Sequence, residues 1–257
     1  MKKALIALLI ASSIMTAQAQ SLNQIIKKAD KVLNSSTQNN GNTGKTNGSG
    51  LLGANLSNTE IVNGLKEALN VGTKNASAKL NKTNGFFSNQ LIKILLPQEV
   101  KNIESTLRSF GFNSLCDQLI MSLNRAAEDA SGKAIPIFVN AITSMSITDG
   151  LNILRGGNNA ATEFLKRTTT AALTSAFRPV IESSLGKVNA TTYWNEVFKT
   201  YNKLPIAKKK VNTDLTGYVT ERALNGLFIT VAEEEANIRK NPAAQVTGLL
   251  QKVFGGK

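Results

Sequence analysis

The sequence predicts an all-α protein: a single globular domain of about nine or ten helices, preceded by a signal peptide, a short amphipathic helix and a flexible linker. Apolar residues recur at three- and four-residue spacings through most of the 257 positions, and no stretch sustains the alternation of a strand. Residues that start or stop helices fall at the ends of those stretches, among them Ser57 with Glu60, Pro97, Gly111, Asn113 and Asp214. With 42% hydrophobic and 18% charged residues, the composition is that of a folded soluble domain. No internal repeat of fixed period appears, which argues against a solenoid.

Lys2 and Lys3 precede an apolar run from Ala4 to Met15, followed by the small-x-small site Ala17-Gln18-Ala19. That pattern is a secretory signal peptide over residues 1–19, because the run is too short to cross a bilayer core of roughly 30 Å. No cysteine stands at the cleavage point, so a lipid anchor is not expected. Cleavage would make Gln20 the first residue and, by removing Lys2 and Lys3, lower the formal net charge from +13 to +11. Over residues 20–33, Leu22, Ile25, Ile26, Ala29 and Leu33 share one helical face, with Lys27, Lys28 and Lys31 elsewhere on the circumference. Residues 34–50 are Asn, Ser, Thr, Gly and Gln with one lysine, a linker reaching roughly 23 Å as a coil.

The domain, residues 51–257, opens with a capping box at Ser57 and Glu60, after which Ile61, Leu65, Ala68, Leu69 and Gly72 trace one face towards Leu80. Asn84-Gly85 breaks the chain, and Leu91–Leu96 reads as a short extended apolar segment. A helix is expected from Pro97 to about Phe110, with Gly111 in the left-handed position beyond it. Asn113 should cap the next, with Leu115, Leu119, Ile120, Leu123, Ala126 and Ala127 inward. Ala134–Met145 favours a buried helix, and Thr148–Leu154 a short one ending at Gly156-Gly157. The pattern from Asn159 towards Leu185 contains Pro179, which predicts a kink or break near Phe177. Thr191–Leu204 carries Trp194, Val197, Phe198 and Tyr201. Asp214 should cap the longest helix, to about Lys240, and Pro242 opens the last.

Thirty Lys and Arg against seventeen Asp and Glu leave the chain strongly basic, and it contains no histidine and one cysteine. Imidazole bases, histidine metal ligands, cysteine clusters and the usual serine triads are therefore excluded, and neither a metal nor a cofactor is expected. Cys116, alone in an oxidising compartment, is expected as a small buried hydrophobe. Nucleic acid is not the expected partner of the charge, since export and one tryptophan with three tyrosines argue against a stacking platform. An anionic envelope surface or lipid fits better.

The charged residues singled out for a buried polar cluster are Arg125, Glu128, Arg155, Arg178, Glu234, Glu235 and Arg239. Within Glu233-Glu234-Glu235, the second and third flank the line through Val231 and Ile238, so at least one should approach the core and need a cation. Glu235 reaches Arg239 at i+4, while Arg125, Arg155 and Arg178 could come from elsewhere. Arg125 and Glu128 are either a solvated i, i+3 pair or part of a face that also packs. Glu163 and Arg167 read as a surface pair. Arg155-Gly156-Gly157 looks superficially like an anion cradle, but lacks the Gly-Lys-Ser/Thr of a phosphate loop and reads as a C-cap glycine and turn. Lys208-Lys209-Lys210 reads as a solvated run.

Several phrases then occur in order: NRAAE from Asn124, PIFVNAI from Pro136, ILRGGNNAAT from Ile153, FRPV from Phe177, YVTERALNGLF from Tyr218 and AEEEANIRKNPAA from Ala232. Together they resemble the domain of unknown function 4197 family over about Asn55 to Phe254. The resemblance implies a helical, exported bacterial domain and brings no activity, cofactor or catalytic residue. The expected function is a non-enzymatic envelope protein binding an anionic or amphiphilic partner. The alternative is a carboxylate-based hydrolase such as a glycosidase, using Glu128, Glu234 and Glu235, with Arg125 or Arg178 stabilising negative charge.

Overall fold

The chain divides into two units, Met1–Ser49 and Gly50–Lys257. A computed structural model describes residues 57–202 and 213–240, all in the second unit. The expected signal peptide, amphipathic helix, linker, Lys208–Lys210 run and final helix lie outside the described residues. Those residues form eight α-helices and one 3₁₀ turn, with no strand among them. No single helix among them is long and apolar enough to cross a membrane.

Helix α1 (Asn58–Leu80) begins with the expected capping box. The Glu60 N–H donates to Ser57 Oγ at 3.2 Å, and the Ser57 N–H to the Glu60 carboxylate at 2.9 Å. All five residues assigned to its inner face are buried. The chain then loops through residues 81–97, with Leu91–Leu96 outside any helix, before a 3₁₀ turn (Gln98–Val100) leads into α2 (Lys101–Ser109). Gly111, at φ +89°, takes the left-handed position expected of it.

Helix α3 (Asn113–Ser131) departs from expectation at its start. Asn113 is its first helical residue, the cap is Phe112, and no side chain bonds the free N–H groups there. Leu115 is 57% exposed, while Cys116, Ile120 and Leu123 are buried as foreseen. The cause is position. The first turn of α3 lies beside α2, which buries no residue of its own, so the apolar stripe extends past the core it serves.

Helices α4 (Ala134–Thr143) and α5 (Ile147–Arg155) follow, and α5 carries a capping box from Ser146 and Asp149 that the sequence reading missed. Gly156 ends α5 as expected, but with extended backbone (φ −75°, ψ 176°). Glycine is needed there for space, since a Cβ would sit 2.6 Å from that of Ala160. Helix α6 (Ala160–Lys187) runs unbroken through Pro179. The proline removes only the bond to the carbonyl four residues back, and Ser175 and Pro179 both face water, which can satisfy that carbonyl. At 28 residues α6 is longer than α8 (Leu215–Lys240, 26 residues), reversing the expected order. Between them lies α7 (Ala190–Tyr201), which buries Trp194 and Phe198.

The core is organised around α6 and α8, which pack on each other. Helices α3, α4, α5 and α7 flank α6, while α1 packs against α8, α4 and α5. The two central helices run antiparallel, because Arg178 of α6 meets Asp214 at the start of α8 and Thr162 meets Glu235 near its end. Phe138 of α4 and Phe228 of α8 meet edge to face, centroids 6.2 Å apart, among Leu165, Leu173, Phe177, Leu224 and Leu227.

Candidate functional site

The loop after α1 has no regular partner for its backbone, and α3 supplies one. Glu128, 3% exposed, accepts from the N–H groups of Asn84 (3.2 Å), Phe86 (3.1 Å) and Phe87 (3.2 Å). One turn earlier, Asn124 pairs with the backbone of Ile94, accepting its N–H and donating to its carbonyl, both at 2.8 Å. Arg125 donates to Glu128 and, at 2.8 Å, to the Asn84 side-chain oxygen. The Arg125–Glu128 face thus packs, and the solvated-pair alternative falls. Asn124 was missed, although an asparagine and a glutamate at i, i+4 among alanines was the available signal.

Glu235 does equivalent work at a helix end. The first N–H groups of α6 lack partners within the helix, and its cap residue, Asn159, makes no side-chain cap bond. Glu235 takes over, accepting from the N–H groups of Ala161 (3.1 Å) and Thr162 (2.8 Å) and from the Thr162 hydroxyl (2.7 Å). Arg239 completes the shell through Nε (3.0 Å) and Nη2 (2.8 Å), and also donates to the Ile153 carbonyl. A carboxylate there complements the positive end of the α6 dipole as well as its orphan donors.

The other singled-out residues lie apart from these two centres. Glu234 is half-buried, its carboxylate 3.5 Å from the Asn75 amide nitrogen, and Glu233 pairs with Lys79 at the surface. Arg155 is exposed at the end of α5, and Glu163 and Arg167 are also exposed. Arg178 forms an ion pair with Asp214 at 2.9 Å, both half in water. Burial pushes the Asp214 carboxyl up, but the Gly217 N–H and Arg178 outweigh it and hold the group below the ordinary aspartate value. Gly217 makes room for this pair, since a Cβ would lie 2.4 Å from Asp214 Oδ2 and 3.2 Å from Arg178 Nη1.

Between α6 and α8 opens a groove of about 540 Å³, within the range of small-molecule sites. Lys166, Thr170, Thr174 and Arg178, each four residues after the last, form its α6 wall; Gly217, Thr220, Glu221, Leu224, Asn225 and Phe228 form the other. The sequence reading passed over this polar stripe, whose i, i+4 spacing was legible. Thr170, Thr174 and Thr220 each donate their hydroxyl to the carbonyl four residues back. Their protons are spent on their own helices, so these threonines offer the groove no donor. The antiparallel pairing sets Lys166 towards the Phe228 end, while Arg178, paired with Asp214 just before the facing helix, marks the other, and Glu221 lies between. Among the described residues no group of three or more His, Cys, Asp or Glu is arranged to hold a metal ion.

The molecule is thus an all-helical domain in which two buried carboxylates hold the architecture and a groove lies open between the central helices. Residues 55–255 match the family described as "Protein of unknown function (DUF4197)", and the chain belongs to that family. No curated protein and no solved structure matches it.

Proposed function

We propose that the protein is a non-enzymatic exported envelope protein that binds an anionic amphiphile between α6 and α8. The observation that carries this reading is the chemistry of the groove: Leu224 and Phe228 give it an apolar lining, and Lys166 stands at the end away from Asp214. An anionic head would sit against Lys166, its chain lying along Leu224 and the threonine wall. The hydrolase alternative has less support. Glu128 and Glu235 are committed to backbone donors and arginines, and among the described residues Glu221 is the one carboxylate lining the groove, where glycoside cleavage needs a pair. Export follows from Lys2, Lys3, the apolar run and Ala17-Gln18-Ala19, and predicts periplasmic material beginning at Gln20.

The test is displacement of a dansyl-labelled fatty acid by oleate and by oleyl alcohol. Lys166→Glu should weaken oleate about tenfold or more, since a hydrogen bond to a charged group is worth ~1.5–3 kcal/mol, and leave the alcohol unchanged. Absence of saturable displacement by either, or an equal loss for both, defeats the reading. Turnover of aryl glycosides would favour the hydrolase.

A further inference from the structure

The turn between α2 and α3 carries the large exposed side chains Phe110 (75%), Phe112 (51%) and Leu115 (57%). Helix α2 buries none of its residues fully and meets the core through half-buried Ile103. At Gly111 a Cβ would meet nothing within 4 Å, so open space lies at that point of the turn. Taking roughly 200 Å² for a phenylalanine side chain and slightly less for leucine, the three leave about 350 Å² of apolar surface. That is the size of a functional patch on a monomer, but well under the ~800 Å² per partner of a stable protein interface.

Two further features bear on where in a bilayer the turn would sit. The N–H groups of Phe110, Gly111 and Phe112 are all bonded within the hairpin, to the carbonyls of Thr106, Arg108 and Leu107 at 3.2, 3.0 and 3.0 Å. The N–H groups that open α3, at Asn113, Ser114 and Leu115, have no side-chain cap, and headgroup oxygens can accept from them at the lipid boundary. Behind the tip Arg108 bridges Glu104 and Asp117, both at 2.9 Å, so this ion cluster offers anionic lipid no excess of positive charge. A tip of phenylalanine and leucine, with the open N–H groups of α3 and paired ions behind it, suits the boundary between headgroups and acyl chains.

The geometry points to the α2–α3 turn as a wedge that inserts into a lipid bilayer surface, with Phe110, Phe112 and Leu115 entering the acyl boundary. It uses none of the groove residues and stands whether or not the groove binds an amphiphile. Because burial of apolar side chains is not screened by salt, this contact adds a salt-resistant part to membrane binding, beyond what the overall positive charge contributes.

The test is flotation of the full chain with phosphatidylcholine vesicles, at low salt and at high salt. Wild type should co-float under both conditions. Phe110→Ser with Phe112→Ser should reduce partitioning at least tenfold while melting at the wild-type temperature, as expected for solvent-facing positions. Phe112→Trp supplies a second reading: its emission should move to the blue on adding vesicles and be quenched by brominated lipid, over a constant background from buried Trp194. The proposal is overturned if the double variant floats as well as wild type, or if the new tryptophan does not respond. It is equally overturned if wild type is a dimer that the double variant dissociates, for then a second copy occupies the tip. Loss of fatty-acid displacement with flotation intact would remove the groove reading and leave this one standing.

Discussion

Replacing Glu235 by alanine isolates the role of a buried carboxylate that serves two partners at once. Its side chain is 5% exposed and that of Arg239 15%, so neither water nor a rotamer change readily compensates the loss. The substitution strands the N–H groups of Ala161 and Thr162 and leaves Arg239 with the Ile153 carbonyl as its remaining described acceptor. Removing one member of a buried ion pair typically costs ~3–5 kcal/mol, in line with two or three lost bonds to a charged acceptor. For a domain of about 200 residues each kcal/mol lowers the melting temperature by roughly 2–4 °C, so Glu235→Ala should melt about 6–20 °C below wild type. Glu234→Ala removes a half-buried carboxylate 3.5 Å from an amide and should fall within a few degrees. Glu235→Gln keeps one acceptor oxygen and should lie between. Circular dichroism melts of the three variants decide the matter, with urea midpoints as a check. If Glu235→Ala melts within a degree of wild type, or Glu234→Ala loses as much, Glu235 does not secure the start of α6.

Asp214 has a carboxyl held below its unfolded value near 3.9, so it contributes stability above that pH and loses it as pH falls through the lower folded value. The gap in urea midpoint between wild type and Asp214→Asn should therefore close on acidification below about pH 4, and a gap that widens would contradict the assignment. Gly226→Ala would place a Cβ 2.5 Å from Cε1 of fully buried Phe86 and should cost ~1–3 kcal/mol, whereas Gly157→Ala, open on all sides, should leave the melt unchanged. Equal melts for these two would refute the close approach of α8 to the 81–97 loop. Removing residues 20–50 should leave the melting temperature as it is and lower membrane association in cell fractions; an unfolded product would show that those residues belong to the core.

Much of the architecture could be read in advance because its causes are local. Ser57 with Glu60, Gly111 and Asp214 act within three or four residues of themselves, and their hydrogen bonds and dihedral angles lie where the sequence puts them. The inner face of α1 follows from the 3.6-residue period alone. The misses arose where a distant element decides. Leu115 continues an apolar stripe, but no neighbour reaches it. Pro179 leaves its helix intact because water can satisfy Ser175. Asn113 resembles a cap, yet the chain enters α3 one residue earlier.

The candidate residues divide along the same line. That Glu234 or Glu235 would approach the core was a matter of angle, and Arg239 a matter of i+4 spacing. The backbone donors that Glu235 and Glu128 serve lie 73 and 42 positions away and could not be inferred from spacing. The groove was illegible as a whole because it exists only where two antiparallel helices meet.

The bond from Glu235 to the start of α6 also bears on the order of assembly. A chain delivered N-terminus first presents residues 160–187 long before residue 235 arrives. Until then the leading end of α6 has open donors and must be held by solvent or by whatever accompanies the nascent chain. The same is true of the Arg178–Asp214 contact at the opposite end of the groove. Full pairing of the α6 start is therefore a late event, waiting on the last turns of α8. A chain cut short before residue 235 would have nearly every described helix but would lack the bonds that hold the start of α6, keeping the Arg178–Asp214 contact at the other end. Such fragments should be prime substrates for proteolysis, and completion of α8 would serve as the molecule's own check that synthesis is finished.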